Sequence, residues 1–138
     1  MSDIFPRRAG DELTRAYPVG SGVLIEAGDL LKLSGGKITP MAGITDNVAF
    51  IGRAVERHET TDVSGERTIG LANANVIYEY ELDGATDMAV NDELQWATKQ
   101  TLSKNATDAI AVAVESKLQA TYIRVVLKKP ALMIGDAT

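Results

Sequence analysis

Residues Ala27 to Glu56 open with Gly28-Asp29-Leu30-Leu31-Lys32-Leu33 and close with Phe50-Ile51-Gly52-Arg53-Ala54-Val55-Glu56, and a similar order returns near the other end of the chain. Asn91-Asp92-Glu93-Leu94-Gln95-Trp96 answers the opening, with Asp92 matching Asp29, Leu94 matching Leu31 and Trp96 matching Leu33. Ile110-Ala111-Val112-Ala113-Val114-Glu115 answers the close. Each copy reads as a turn ending in Asp, a strand with apolar residues two apart, a short polar excursion and a second strand running out to a Glu. A weak strand-turn-strand repeat over 27–56 and 91–115 commits the chain to a β framework and brings no catalytic group with it.

The segments around the repeat follow the same grammar. Ser34-Gly35-Gly36-Lys37 supplies the positive φ that a tight hairpin needs, which predicts paired strands over 30–33 and 37–39. Residues 40–46 read as a loop or one helical turn. Val48 to Val55 is a nearly continuous apolar strand in which Gly52 marks a bulge or a close backbone approach. Glu56 to Glu66 reads as a solvated loop, with Ser64-Gly65 closing a hairpin into 67–71. Val76, Tyr78, Tyr80 and Leu82 alternate with Glu79 and Glu81, the pattern of a strand with one buried and one acidic face. Asp83-Gly84 is expected to turn the chain, and 85–90 to form a single helical turn. In the last strand, 121–127, Ile123, Val125 and Leu127 point inward and Tyr122 and Arg124 outward.

Residues 1–21 differ from this. Ser2 to Gly22 contains two prolines, three glycines and three arginines, and its apolar residues Ile4, Phe5, Leu13, Tyr17 and Val19 show no period of a strand or helix. The segment reads as an extended N-terminal arm, either a loose terminus or, being too apolar for a solvated tail, an arm that lies along a partner. Ile4, Phe5, Pro6, Arg7, Arg8, Arg15 and Tyr17 are its candidate contacts with a partner. The resulting division is an arm at 1–21, a β domain at 22–128 and a C-terminal tail at 129–138.

Chemistry is sparse. The chain has no cysteine and one histidine, which removes thiolate nucleophiles, disulfides and Cys-ligated zinc. His58-Glu59 begins a zinc-protease motif without its second histidine, and it falls in a loop where the motif needs a helix. Gly35-Gly36-Lys37-Ile38 lacks the first glycine and the hydroxyl residue of a phosphate loop, and Gly20-Ser21-Gly22 lacks the third glycine of a dinucleotide fingerprint. Asp29 and Asp92 are a conceivable carboxylate pair, but each sits where Asp caps its own turn. Trp96 reads as a core residue whose indole N–H finds a backbone acceptor. A net charge of −5 and a pI near 4.8 argue against a phosphate-neutralising surface. No apolar run is long enough for a signal peptide or membrane span, so a soluble product is expected, without nucleic-acid or membrane partners, cofactor or enzymatic activity.

Across residues 20–128, Ala27-Gly28-Asp29-Leu30, Gly36-Lys37-Ile38, Ile51-Gly52-Arg53-Ala54, Ile69-Gly70-Leu71-Ala72-Asn73 and the closing Tyr122-Ile123-Arg124-Val125-Val126-Leu127 resemble the capsid decoration, or cement, proteins of tailed bacteriophages. The resemblance implies a small β-barrel or β-tulip domain on the outer surface of the head, made in the host cytoplasm during assembly. It also implies attachment to the major capsid protein at local three-fold or neighbouring positions, beside copies of itself as a homotrimer at the local three-folds, with the arm contributing. The chain departs from the pattern in its longer, more basic arm and in Asn91 standing where the first copy has Gly28. A small β-barrel module for carbohydrate or peptide is the alternative; it calls for clustered exposed aromatics, and the chain has one Trp, four Tyr and two Phe.

Overall fold

Among the described residues the order of elements is β1 (Arg7–Ala9), β2 (Thr14–Val19), β3 (Leu30–Ser34), β4 (Lys37–Pro40), a 3₁₀ helix (Ile44–Ala49), β5 (Phe50–Ala54), β6 (Gly65–Leu71), β7 (Ile77–Met88), β8 (Glu93–Trp96), β9 (Leu102–Lys104), β10 (Ala111–Ala113) and β11 (Lys117–Leu127). The computed structural model describes residues 7–9 as backbone, together with 13–63 and 65–129. The protein is mainly β. One sheet has the order β2-β6-β5-β3-β4. The other has the order β1-β7-β11-β10-β8-β9, and a parallel bridge between Leu82 and Leu102 joins β7 to β9, closing five of its strands into a barrel.

The two sheets are built on one plan. Setting β2 to β6 against β7 to β11 in sequence order reproduces the spatial order strand for strand. The register agrees as well. Leu31 and Leu71 flank Gly52 as Leu94 and Leu127 flank Ala111, and the bridge between Ile25 and His58 matches the pairing of Met88 with Lys117. Backbone bonds repeat in kind. Gly28 N–H donates to the Ala54 carbonyl and Ala54 N–H to the Asp29 carbonyl, both at 2.8 Å. Asn91 N–H donates to Ala113 at 2.9 Å and Ala113 N–H to Asp92 at 2.8 Å. Even the closing carboxylates match: Glu56 accepts from Thr68 N–H on β6 and Glu115 from Arg124 N–H on β11. The repeat seen in sequence therefore belongs to a whole five-stranded unit, extending beyond the two strands that show it most plainly.

Each unit has its own core. Val19, Ile25, Leu31, Ile38, Ile51, Ala54 and Ile69 fill the first. The barrel is lined by Val76, Tyr78, Tyr80, Leu94, Trp96, Leu102, Ile123, Val125 and Leu127, and Leu30, Met41 and Phe50 of the first unit join that cluster. Strand alternation makes this possible, because Leu31 faces its own core while Leu30 faces the barrel. Three side chains reach across as hydrogen-bonding clasps. Asn47 of the 3₁₀ helix accepts from Trp96 N–H at 2.8 Å and donates to the Trp96 carbonyl at 3.1 Å, so one amide stands in for a neighbouring strand. Gln100 does the same for Leu30, at 2.8 and 3.3 Å. The Tyr80 hydroxyl donates to the Gly28 carbonyl at 2.9 Å. Buried Arg53 lies 4.7 Å over the Tyr78 ring, placing its cation on the negative face of the aromatic.

Several expectations change. Thr14–Val19 pairs with β6 along its whole length and Val19 is buried, so the first sheet reaches back into residues assigned to the arm. The strand expected from Val48 begins at Phe50, since the 3₁₀ helix occupies 44–49 and Asp46 fixes its entry by accepting from Ala42 and Gly43 N–H. Asp83-Gly84 does not turn the chain, and 85–90 is not a helical turn. β7 runs on to Met88 because β11 continues alongside it, and Gly84 at φ +132 absorbs the irregularity. His58 is buried, where a solvated loop was expected. The expected acceptor for Trp96 is absent among the described residues: the side chain is buried, but its indole N–H has no partner. All but Lys129 of the C-terminal tail lies outside the described residues.

Candidate attachment surface

The chemistry-bearing residues are mostly taken up by the scaffold. Asp29 Oδ2 accepts from Glu26 N–H at 2.9 Å and Asp92 Oδ2 from Ala89 N–H at 2.8 Å, in turns whose preceding residues, Gly28 and Asn91, have φ of +95 and +77. Asn is among the few side chains that tolerate this region, which is how it replaces glycine here. Both Asp residues are turn caps in separate units. Burial raises the Asp29 carboxyl above its ordinary 3.8, against the Glu26 N–H bond. Asp92 is lowered, first by the Ala89 N–H and then by Lys104 at 3.2 Å.

His58 holds one end of the first unit shut. Its Nδ1 lies 2.6 Å from the Val23 carbonyl and its Nε2 3.2 Å from the Val63 carbonyl, while its backbone pairs with Ile25. Both ring nitrogens are turned into backbone carbonyl oxygens inside the first unit, so neither is presented to a ligand at the surface. Among the described residues no three His, Asp or Glu side chains converge as a metal site.

The candidate contact residues divide between the two sheets. Ile4, Phe5 and Pro6 lie outside the described residues. Arg7 and Arg8 belong to β1, which pairs antiparallel with the start of β7, opposite Tyr78 and Ile77. Arg15 and Tyr17 lie on β2 in the other sheet, two residues apart and so on one face, with the Arg15 guanidinium 5.1 Å over the Tyr17 ring. Thus Arg15 and Tyr17 are brought together, and the β1 arginines are not part of the same strand.

β2 is the edge of its sheet. Leu71 N–H donates to the Leu13 carbonyl at 2.8 Å, which sets the phase of the ladder: the backbone groups of Thr14 and Ala16 turn away from β6. Pro18, with no N–H to lose, occupies the next outward position, the place a strand tolerates proline. Leu13 was not among the candidate residues, although Leu13, Arg15, Tyr17 and Val19 lie two apart. The neighbouring prolines and glycines hid that alternation.

No protein-family model matches this sequence, and no curated protein does. Among solved structures, the fold matches the N base of the head fiber gp8.5 of bacteriophage phi29 with a TM-score of 0.56, over 86% of this chain and 97% of that one, at 16% sequence identity. The likeness is one of fold.

Proposed function

We propose that this chain is a structural protein of a bacteriophage head, seated on the outer surface of the shell, where it binds the major capsid protein and stabilises the lattice. The observation that carries the reading is the fold shared with nearly the whole of the phi29 head fiber base. The sequence resemblance to capsid decoration proteins points the same way from a different starting point. A non-enzymatic role accords with the use of His58, Asp29 and Asp92 as structural bonds.

Stabilisation needs only linkage. A protein that binds the assembled shell and not its dissociated subunits shifts the equilibrium toward assembly. Contacts to neighbouring shell subunits, and to copies of itself grouped at local three-fold positions, add through effective concentration, so each contact can be modest. A net charge of −5 suits an outward position, away from packaged nucleic acid.

The test is to add the purified protein to undecorated heads of the phage that encodes it, and to measure binding at saturation and the temperature of DNA release. Stoichiometric binding with a raised release temperature is expected. Binding without that rise removes the stabilising role, and no binding removes the head assignment.

A further inference from the structure

The two units share a plan but differ in what covers them. In the barrel, Val76, Trp96 and Leu127 are at most 4% exposed, within a cluster that Leu30, Met41 and Phe50 of the first unit join. Their counterparts by register are Leu13, Leu33 and Leu71. Leu13 is 61% exposed, and Leu33 and Leu71 are only partly buried against their own core. Nothing among the described residues covers this end of the first unit.

The edges differ in the same way. On β7 the positions Ile77 and Tyr78 are paired by β1, an extended segment lying antiparallel. The equivalent positions on β2 are Thr14 and Arg15, and no described segment pairs with them on that side. The molecule thus shows at one site what its twin site is shaped to receive. Among the described residues β1 is the strand of this kind and is already engaged on β7, and a strand from another protein would complete the β2 edge in the same way.

From this we infer that the outer edge of β2, with Leu13, Leu33 and Leu71 beside it, receives an extended segment of the major capsid protein, which adds as a strand to the first sheet. This rests on the head-protein reading above and specifies its contact. The outward N–H and C=O groups of Thr14 and Ala16 supply the ladder, as in other strand-addition complexes. The three leucines call for apolar side chains at alternate positions of the incoming strand, and Arg15 at the rim favours an acidic residue there. An edge strand left open in this way invites pairing with some extended chain unless it is blocked.

Two substitutions test the site without touching either core. Ala16→Pro deletes an outward N–H and leaves the β6 side of the ladder intact, a change the strand already accepts at Pro18. Leu13→Asp places a charge on the exposed leucine. Leu118→Asp, at a side chain 80% exposed on the other sheet, is the control. Binding to undecorated heads is measured for all four proteins, with melting temperature and sedimentation of each free protein. The inference predicts that Ala16→Pro and Leu13→Asp each weaken head binding by about tenfold or more, with unchanged melting, while Leu118→Asp binds like the parent. Equal binding by all four overturns the β2 site and leaves the head assignment standing. If the parent itself fails to bind heads, both fall. If the parent self-associates and the β2 variants do not, the occupant is a second copy and the inference is wrong.

Discussion

Asp29 and Asp92 close the same turn with the same pair of hydrogen bonds, yet one carboxyl is raised and the other lowered. The difference lies in what stands outside each turn. The Asp29 turn is pressed against the barrel, where Tyr80 takes the Gly28 carbonyl, and burial disfavours its charge. The Asp92 turn faces solvent and Lys104. One backbone plan, used twice, gives a unit that is covered and a unit that covers. The covering unit has its own far end open. The comparison teaches that local sequence decides the strand plan, and that the packing of one copy on the other decides charge, burial and available surface.

The largest effect is expected where the two copies differ in backbone spacing. A Cβ at Gly52 would stand 2.1 Å from the Gly70 carbonyl oxygen, an overlap with main chain that no rotamer relieves. Gly52→Ala should therefore destabilise the fold by at least about 3 kcal/mol in urea unfolding. The register-equivalent Ala111→Gly in the barrel should cost only about 1 kcal/mol. Similar costs at the two positions would contradict the difference in backbone spacing between β5–β6 and β10–β11.

Next come the clasps, which have no counterpart within either unit. Asn47→Ala leaves the buried N–H and C=O of Trp96 without partners, at about 1–3 kcal/mol for each group. Gln100→Ala, at a partly buried site, should cost about 1 kcal/mol. Urea denaturation followed by Trp96 fluorescence reads both. An Asn47→Ala protein as stable as the parent would mean that the Asn47 clasp does not help hold the two units together.

The smallest effects concern the two aspartates, and their signs are opposite. With its folded pKa raised, Asp29 contributes stability that is fully present below 3.8 and is lost as pH rises through the folded value. With its folded pKa lowered, Asp92 contributes stability that is present above 3.8 and is lost as pH falls through the folded value. In thermal melts, Asp29→Asn should match or exceed the parent at pH 7, since its amide oxygen still accepts from Glu26 N–H. Asp92→Asn should melt lower than the parent at pH 7, and the gap should close in acid. The same sign for both would contradict the assignment of Asp29 to a buried joint.

Much of the strand plan was legible because it rests on local rules. Gly35-Gly36 marked the β3–β4 hairpin, Val76 to Leu82 alternated as a half-buried strand does, and Gly52 announced a bulge or a close approach, of which the structure shows the close approach to Gly70. Tertiary context decided the rest. Asp83-Gly84 has turn chemistry, but a long partner in β11 kept the strand going. His58 sits in a charged sequence and is buried with its ring against the Val23 carbonyl of another segment and the Val63 carbonyl of its own loop. Arg53 and Asn47 look like surface residues until the opposite unit is placed over them. At the candidate site, the sequence marks Arg15 and Tyr17 only as candidate basic and apolar contacts. That they lie on a sheet edge, beside an exposed Leu13, depends on the pairing with β6.

The most direct test of the account is amide exchange at β2, before and after undecorated heads are added. In the free protein, Arg15 and Tyr17 N–H, turned toward β6, should exchange slowly, and Thr14 and Ala16 N–H, turned outward, should exchange fast. On the head, Thr14 and Ala16 should become as protected as their neighbours. Heads that bind the protein while Thr14 and Ala16 stay fast would contradict the account.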